Sequence, residues 1–302
     1  MKNVKVILWG LGAMGGGIGK MLTKKKGVDI VGAIDIGDKI GKSLYDVVPG
    51  IVKGDREDVI VGTPEEVIKP GAADIVVVCT NSFTKDVFDK LVFVMERGMN
   101  VITSAEEMAY PQAQEPELAK KLDEIAKKNG VSVMGTGINP GLIMDLLVVL
   151  WTAACEEVNH VTSRRVNSLS PFGPAVMEEQ GIGISVEEFN ERKANGTMAG
   201  HVGFAESTMM ICDALGWKWD DFGQDMEPIV TDVDRKSPYG FAAAGQVAGV
   251  AMKGWVNIDG ERKIDMDHPQ QIEPEQVGVH TGDYVILDAV PPVNMVNTPE
   301  IE

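Results

Sequence analysis

Residues 5–15 read Lys5-Val6-Ile7-Leu8-Trp9-Gly10-Leu11-Gly12-Ala13-Met14-Gly15. A short apolar run leads into glycines spaced G-x-G-x-x-G, and helix-compatible residues follow from Ile18 to Leu22. Strand, tight turn and helix in that order make a dinucleotide-binding unit. Gly10 lets the chain turn off the strand, Gly12 lets a pyrophosphate approach the backbone, and Gly15 lets helix and strand pack closely. Leu11, Ala13 and Met14 complete the turn, and the helix start offers N–H groups and a positive dipole end to phosphate.

Glycine turns are common, so context decides. A second apolar run, Ile30 to Ile34, ends at Asp35, twenty residues after Gly15. An acid there accepts hydrogen bonds from the adenosine ribose and repels a 2′-phosphate. NAD is therefore expected over NADP, with Lys39 and Lys42 just beyond to soften the preference.

The chain has 302 residues, 44% of them hydrophobic and 24% charged, which suits two globular domains. Its net charge of −17 argues against nucleic acid or an anionic membrane as partner. Cys79, Cys155 and Cys212 are far apart and form no CxxC, so disulfide and zinc readings are poor and a reducing cytoplasm is expected. No two histidines share metal-ligand spacing, and no metal is expected. The first strand begins almost at once, so no signal peptide is expected.

Along the chain, Thr63-Pro64-Glu65-Glu66 is a helix start, and Asp74 to Thr80 is a continuous apolar run suited to a central parallel strand. Thr80 and Asn81 at its carboxyl end are assigned to the nicotinamide-side ribose and phosphates; a plain strand-to-helix loop is the alternative. A helix over 85–97, a strand over 100–103, a helix over 117–128 and a strand over 131–134 continue the alternation. The expectation is an α/β protein with an N-terminal Rossmann-type, doubly wound parallel sheet over residues 1–140. Residues 141–302 read as a second, α+β domain with a mostly antiparallel sheet. There, 141–155 is expected as one buried helix, 202–215 as an amphipathic helix, and 158–166, 228–233, 246–256, 262–266 and 283–290 as strands.

A nicotinamide site needs a group that handles a proton. Glu106 and Glu107 follow the strand at 100–103, and an enclosed carboxylate there would serve as a base. The first turn of a surface helix would equally favour two acids. Arg165 and Asn167 alternate onto one face of a strand, and arginine suits a substrate carboxylate; an exposed strand edge is the alternative. His201, before the helix at 202–215, is either a site residue or a structural histidine.

Leu8 to Gly15, Gly32-Ala33-Ile34-Asp35, Thr103 to Met108, Gly137-Ile138-Asn139-Pro140-Gly141 and His201 to Ser207 together resemble the 2,4-diaminopentanoate dehydrogenase family. This family belongs to the native amine dehydrogenases of the dihydrodipicolinate reductase-like group. The resemblance spans nearly the whole chain. It implies NAD(P)-dependent oxidative deamination of a small diamino acid at its C4 amine, yielding 2-amino-4-oxopentanoate and ammonia within ornithine breakdown. It places the catalytic glutamate in the Glu106–Glu107 pair and substrate contacts at Asn139, Arg165, Asn167 and His201. A homodimer through the second domain's sheet is implied too. The lysine of homoserine dehydrogenases and the His/Lys signature of dihydrodipicolinate reductases are absent, which favours amine chemistry. The family is expected to continue beyond residue 302 through a glycine-rich loop and a helix. Two rivals stand beside this expectation: a related reductase of another small amino or oxo acid, and a non-catalytic NAD-binding regulator.

Overall fold

The computed structural model describes residues 2–198 and 200–301. The chain divides into two compact units, Met1–Gly137 and Ile138–Glu302. Asn139 and Pro140 therefore fall in the second unit.

In the first unit, β1 (Val4–Trp9) runs through the glycine turn into α1 (Ala13–Leu22), followed by β2 (Val28–Ile34), α2 (Leu44–Val47), β3 (Val61–Gly62) and α3 (Pro64–Val67). Then come β4 (Ile75–Val78), α4 (Thr84–Met95), β5 (Asn100–Thr103), α5 (Pro116–Asn129) and β6 (Val133–Gly135). The strands lie in the order β3-β2-β1-β4-β5-β6, and every pair is parallel. This is the doubly wound order, with its switch point between β1 and β4. Central strands buried on both faces explain the unbroken apolar runs: Ile7, Leu8, Val76 and Val78 are all buried. The helix ends follow local chemistry. The Glu66 carboxylate accepts the Thr63 backbone N–H at 2.8 Å before Pro64 opens α3, and α5 stops at Gly130, which is left-handed at φ 65°.

The second unit contains α6 (Leu146–Thr152), β7 (Glu157–Ser168), α7 (Pro174–Glu179), α8 (Val186–Ala194), α9 (Phe204–Leu215) and β8 (Asp221–Val230). A two-stranded ribbon, β9 (Arg235–Lys236) with β10 (Phe241–Ala242), precedes β11 (Val247–Ile258), β12 (Glu261–Gln271), β13 (Gly282–Val290) and β14 (Val293–Asn297). The large sheet has the order β14-β13-β7-β12-β11-β8; only β7–β12 is parallel. Its core joins Val161, Phe189, Phe204, Ile211, Val250, Ile264 and Val285. The α/β class with a mostly antiparallel second sheet is thus as the sequence implies.

Three expectations for this unit change. The helix expected over 141–155 is a helix only from Leu146 to Thr152, and only one face of it is buried: Val148 is in the core, whereas Leu150 is 60% exposed. Asp145 is the cause: its carboxylate accepts the Gly141 and Leu146 N–H groups, both at 2.6 Å, which folds 141–145 into turns and caps the helix at 146. The strand expected over 228–233 begins at Asp221 instead. Gly223 hides that start from a propensity reading, yet a Cβ there would lie 2.4 Å from the Trp255 ring, so the glycine is a packing requirement. The helix expected from 202 begins at Phe204, because Gly203 (φ 133°) lies against the Pro140 ring. No helix among the described residues is long and apolar enough to cross a membrane.

Candidate active site

The first unit gathers its candidate residues at the carboxyl ends of parallel strands. Gly10 has φ 94°, and a Cβ on it would lie 2.3 Å from the Cys79 carbonyl oxygen; one on Gly15 would lie 1.8 Å from the Gly10 oxygen. Both glycines are required for strand and helix to cross this closely. Gly12 has nothing within 4 Å of its Cβ position, so the backbone is open there to a ligand. By helix geometry the N–H groups of Ala13, Met14 and Gly15 have no intrahelical partner, and no acid stands in the first turn of α1. An open glycine and free donors at a helix start fit a pyrophosphate.

Asp35 stands just beyond β2. Its Oδ2 accepts the Leu11 N–H at 2.8 Å and the Lys39 ammonium at 2.7 Å, and its Oδ1 accepts the Ile36 N–H at 2.8 Å. Burial alone would raise its pKa, but the Lys39 hydrogen bond and the two backbone N–H groups outweigh burial and hold it below the ordinary carboxylate value. A carboxylate offers about four lone-pair positions, so three donors leave Oδ1 able to accept one more. Lys39, four residues on, also reaches the Leu11 carbonyl at 3.2 Å. Lys42 pairs instead with Asp38 at 3.1 Å.

Thr80 and Asn81 are exposed just past β4. The Lys90 ammonium on α4 reaches Thr80 Oγ1 at 2.9 Å and Asn81 Oδ1 at 2.5 Å. Past β5, Glu106 opens a single 3-10 turn, Glu106–Ala109, rather than a surface α-helix. Here the paired acids separate. Glu107 is 8% exposed, and its Oε2 accepts the Thr84 backbone N–H at 2.7 Å. Its own N–H donates to the Ser82 carbonyl at 3.1 Å. Glu106 is partly exposed.

The second unit carries a polar strip on the inner face of its sheet. Ser163, Arg165 and Asn167 share one face of β7 and are all buried, whereas Arg164 points to the opposite face and pairs with Asp267 at 2.9 Å. With β13 on one side and β12 on the other, β7 is no edge strand. Arg165 Nη1 donates to Asp283 Oδ1 at 2.6 Å and Nη2 to the Ile301 carbonyl at 2.8 Å. Asp283 is fully buried, and its Oδ2 accepts the Ile301 N–H at 2.8 Å. The residue expected to anchor a substrate carboxylate is thus engaged by a buried acid and the 297–301 segment.

His268, on β12, donates its Nδ1–H to the Arg165 carbonyl at 2.9 Å, and its ring meets the His201 ring edge-on at 4.9 Å. Burial pushes His268 down to about 4; the Arg165 carbonyl bond works against this and the Arg165 charge with it. Burial also holds His201 well below its ordinary value, with the His268 and Arg165 charges adding. Both imidazoles are therefore neutral near pH 7. His201 Nε2, Asn167 Oδ1, Ser163 Oγ and both amide atoms of Asn139 are buried with no hydrogen-bond partner among the described residues. Unpaired buried polar atoms are costly, and ordered water or a polar ligand can satisfy them. His201 also lines a cavity of about 330 Å³ with Gln224, Met226 and Met252.

Several of these residues escape a reading of the sequence. Asp283, His268 and Lys90 come from distant elements and carry no local motif. Ser163 had a signal, since it lies two residues before Arg165 on the same alternating face.

The family model for the 2,4-diaminopentanoate dehydrogenase C-terminal domain matches residues 142–302. The chain is 68% identical over 302 residues to 2,4-diaminopentanoate dehydrogenase of Acetoanaerobium sticklandii, covering 100% of this chain and 85% of that protein. Among solved structures, the amine dehydrogenase from Mycobacterium smegmatis superposes with a TM-score of 0.82 at 24% identity, covering 98% of this chain and 87% of that one. GenD2 from gentamicin A biosynthesis, solved with NAD, gives a TM-score of 0.53 at 16% identity over 98% and 72% of the two chains. These two structures share the fold. Together with the full-length identity, the family match shows that the chain belongs to the 2,4-diaminopentanoate dehydrogenase family of oxidoreductases.

Proposed function

We propose that this protein oxidatively deaminates 2,4-diaminopentanoate at C4, giving 2-amino-4-oxopentanoate and ammonia, with NAD preferred over NADP. The observation that carries the reading is 68% identity across the entire chain to a 2,4-diaminopentanoate dehydrogenase. The geometry of the first unit supports it. The glycine turn and the start of α1 would hold the pyrophosphate, Asp35 the adenosine ribose, and Thr80 and Asn81 the nicotinamide side. When bound, the nicotinamide supplies a hydride acceptor.

Glu106 is the base in this reading, because Glu107 is committed to the Thr84 N–H. Glu106 takes the proton that keeps the C4 amine neutral, so that its lone pair can assist hydride departure from C4. It passes that proton to solvent, takes another from the water that attacks the resulting iminium carbon, and returns it to the carbinolamine nitrogen; the C–N bond then breaks, and the hydroxyl proton leaves with the ammonia as ammonium. One amine, one water and one oxidised nicotinamide yield one ketone, one ammonium and one reduced nicotinamide. Asn139, Asn167 and His201 offer unpaired polar atoms to the remainder of the substrate. Since both nearby histidines are neutral, they recognise it by hydrogen bonding rather than charge. We assign the first unit, Met1–Gly137, to the cofactor and the second, Ile138–Glu302, to the substrate, and propose a cytoplasmic homodimer formed through the second unit's sheet.

The test incubates the protein with 2,4-diaminopentanoate and either NAD or NADP, following reduced nicotinamide and ammonia together. Equal amounts of both, formed faster with NAD, are expected. Cofactor binding with no product of either kind would sink the proposal.

A further inference from the structure

Lys90 is the one lysine of α4 that reaches across to the end of β4 among the described residues. Its ammonium contacts Thr80 Oγ1 at 2.9 Å and Asn81 Oδ1 at 2.5 Å. An ammonium can only donate. Both contacted oxygens are therefore acceptors in these bonds, which fixes the polarity of the pair. The Thr80 hydroxyl hydrogen must point away from Lys90. The Asn81 amide, with its oxygen held, must present its two N–H donors on the opposite side. The Lys90 nitrogen sits directly behind them; burial lowers its pKa from the ordinary lysine value, and the Asp86 charge works against that. Three donors backed by a cation suit oxygen acceptors on an anionic ligand.

We propose that Lys90 is a positioning residue that sets Thr80 and Asn81 as donors toward the pyrophosphate and second ribose of the dinucleotide. The assignment rests on reading the first unit as the dinucleotide site. Without Lys90, Thr80 and Asn81 lose their fixed orientation: the amide can turn its oxygen outward, and the hydroxyl can rotate. The cost falls on ligands that reach past β4, while the adenosine end, held by Asp35 and the glycine turn, is untouched.

The experiment titrates wild type, Lys90→Met, Lys90→Gln and Lys90→Arg with NADH, ADP-ribose and AMP by calorimetry, alongside thermal melting. Lys90→Met and Lys90→Gln are expected to bind NADH and ADP-ribose about tenfold more weakly, with AMP changed by less than about twofold. Lys90→Arg, which retains donors and charge, is expected to recover most of the loss. In turnover, KM for NAD should rise while kcat holds. Equal weakening of all three ligands, or unchanged NADH affinity, would overturn the assignment. If wild type binds none of the three ligands, the dinucleotide reading itself fails and takes this assignment with it; wild-type binding with an indifferent Lys90→Met rejects Lys90 alone.

Discussion

Glu107 closes the start of α4: its Oε2 accepts the Thr84 backbone N–H at 2.7 Å from a position 23 residues further along the chain. Helix α4 has no side-chain cap from its own N-cap residue, Phe83. A carboxylate borrowed from the turn after β5 takes that place, where the helix dipole favours negative charge. The same turn carries Glu106, so the structural acid fixes the backbone that aims its neighbour.

Opposite outcomes are therefore expected at adjacent positions. Glu106→Gln should lower kcat by about 10²–10⁴, the usual contribution of a general base, with NADH affinity kept. Glu107→Gln retains an oxygen for the Thr84 N–H and should keep most activity. Glu107→Ala should lose about 1–2 kcal/mol of stability, as loss of a helix cap does. Steady-state rates and urea unfolding of the three variants check this; a dead Glu107→Gln beside an active Glu106→Gln would reverse the assignment.

Asp35 sets the next expectation. Its carboxyl is held below the ordinary value by Lys39 and two backbone N–H groups, which together outweigh burial. A depressed folded pKa means stability that is present above the unfolded value and lost as pH falls through the folded one. Unfolding below pH 4 should therefore be less steep in Asp35→Asn. The same variant should narrow the NAD-over-NADP preference, since the repulsion of a 2′-phosphate is removed. Nucleotide titrations with both cofactors measure it, and an unchanged ratio would count against Asp35 as the discriminator.

How much of this was readable beforehand follows from how local each signal is. The glycine turn, Asp35 and the unbroken apolar strands are short-range patterns, so the first sheet and the loops at its carboxyl edge were legible. The two glutamates were legible as a pair, but not as different residues, because what separates them is one hydrogen bond to Thr84 across 23 residues. The 141–155 segment misled for the opposite reason. Its apolar run is real, yet the Asp145 carboxylate satisfies backbone N–H groups and starts the helix late. Arg165 shows the same limit: alternation placed it correctly on a face with Asn167, while Asp283, 118 residues away, determines what the guanidinium does.

The neutral histidines give a pH signature of their own. His268 is 3% exposed and pushed down to about 4, so the unfolded chain takes up its proton first as pH falls. The stability it contributes is complete above about pH 6.5 and declines down to about 4, at about 1.4 kcal/mol per pH unit for one such group. His201, depressed in the same direction, adds to the slope. Denaturant unfolding at several pH values should show this fall, and His268→Gln should flatten it. An equally steep profile in that variant would mean other groups carry the effect.

Arg165 and Asp283 supply the sharpest test, because the pair is buried and its two jobs make different predictions. The guanidinium is 6% exposed and the carboxylate not at all. Removing one partner leaves an uncompensated buried charge, so Arg165→Met or Asp283→Asn alone should cost about 3–5 kcal/mol. Replacing both with apolar residues of similar volume, Arg165→Met with Asp283→Leu, should recover much of that, since a buried pair repays little more than its desolvation. If Arg165 acts only as a clamp on Asp283 and the Ile301 backbone, the double variant should also recover its KM for the diamino acid. If the guanidinium additionally receives the substrate carboxylate, stability should return while KM stays at least about tenfold high, the scale of one lost charge-assisted hydrogen bond. Unfolding curves and substrate titrations on the same four proteins separate the two, and a double variant no more stable than either single one would show that the ion pair is not the link between these residues.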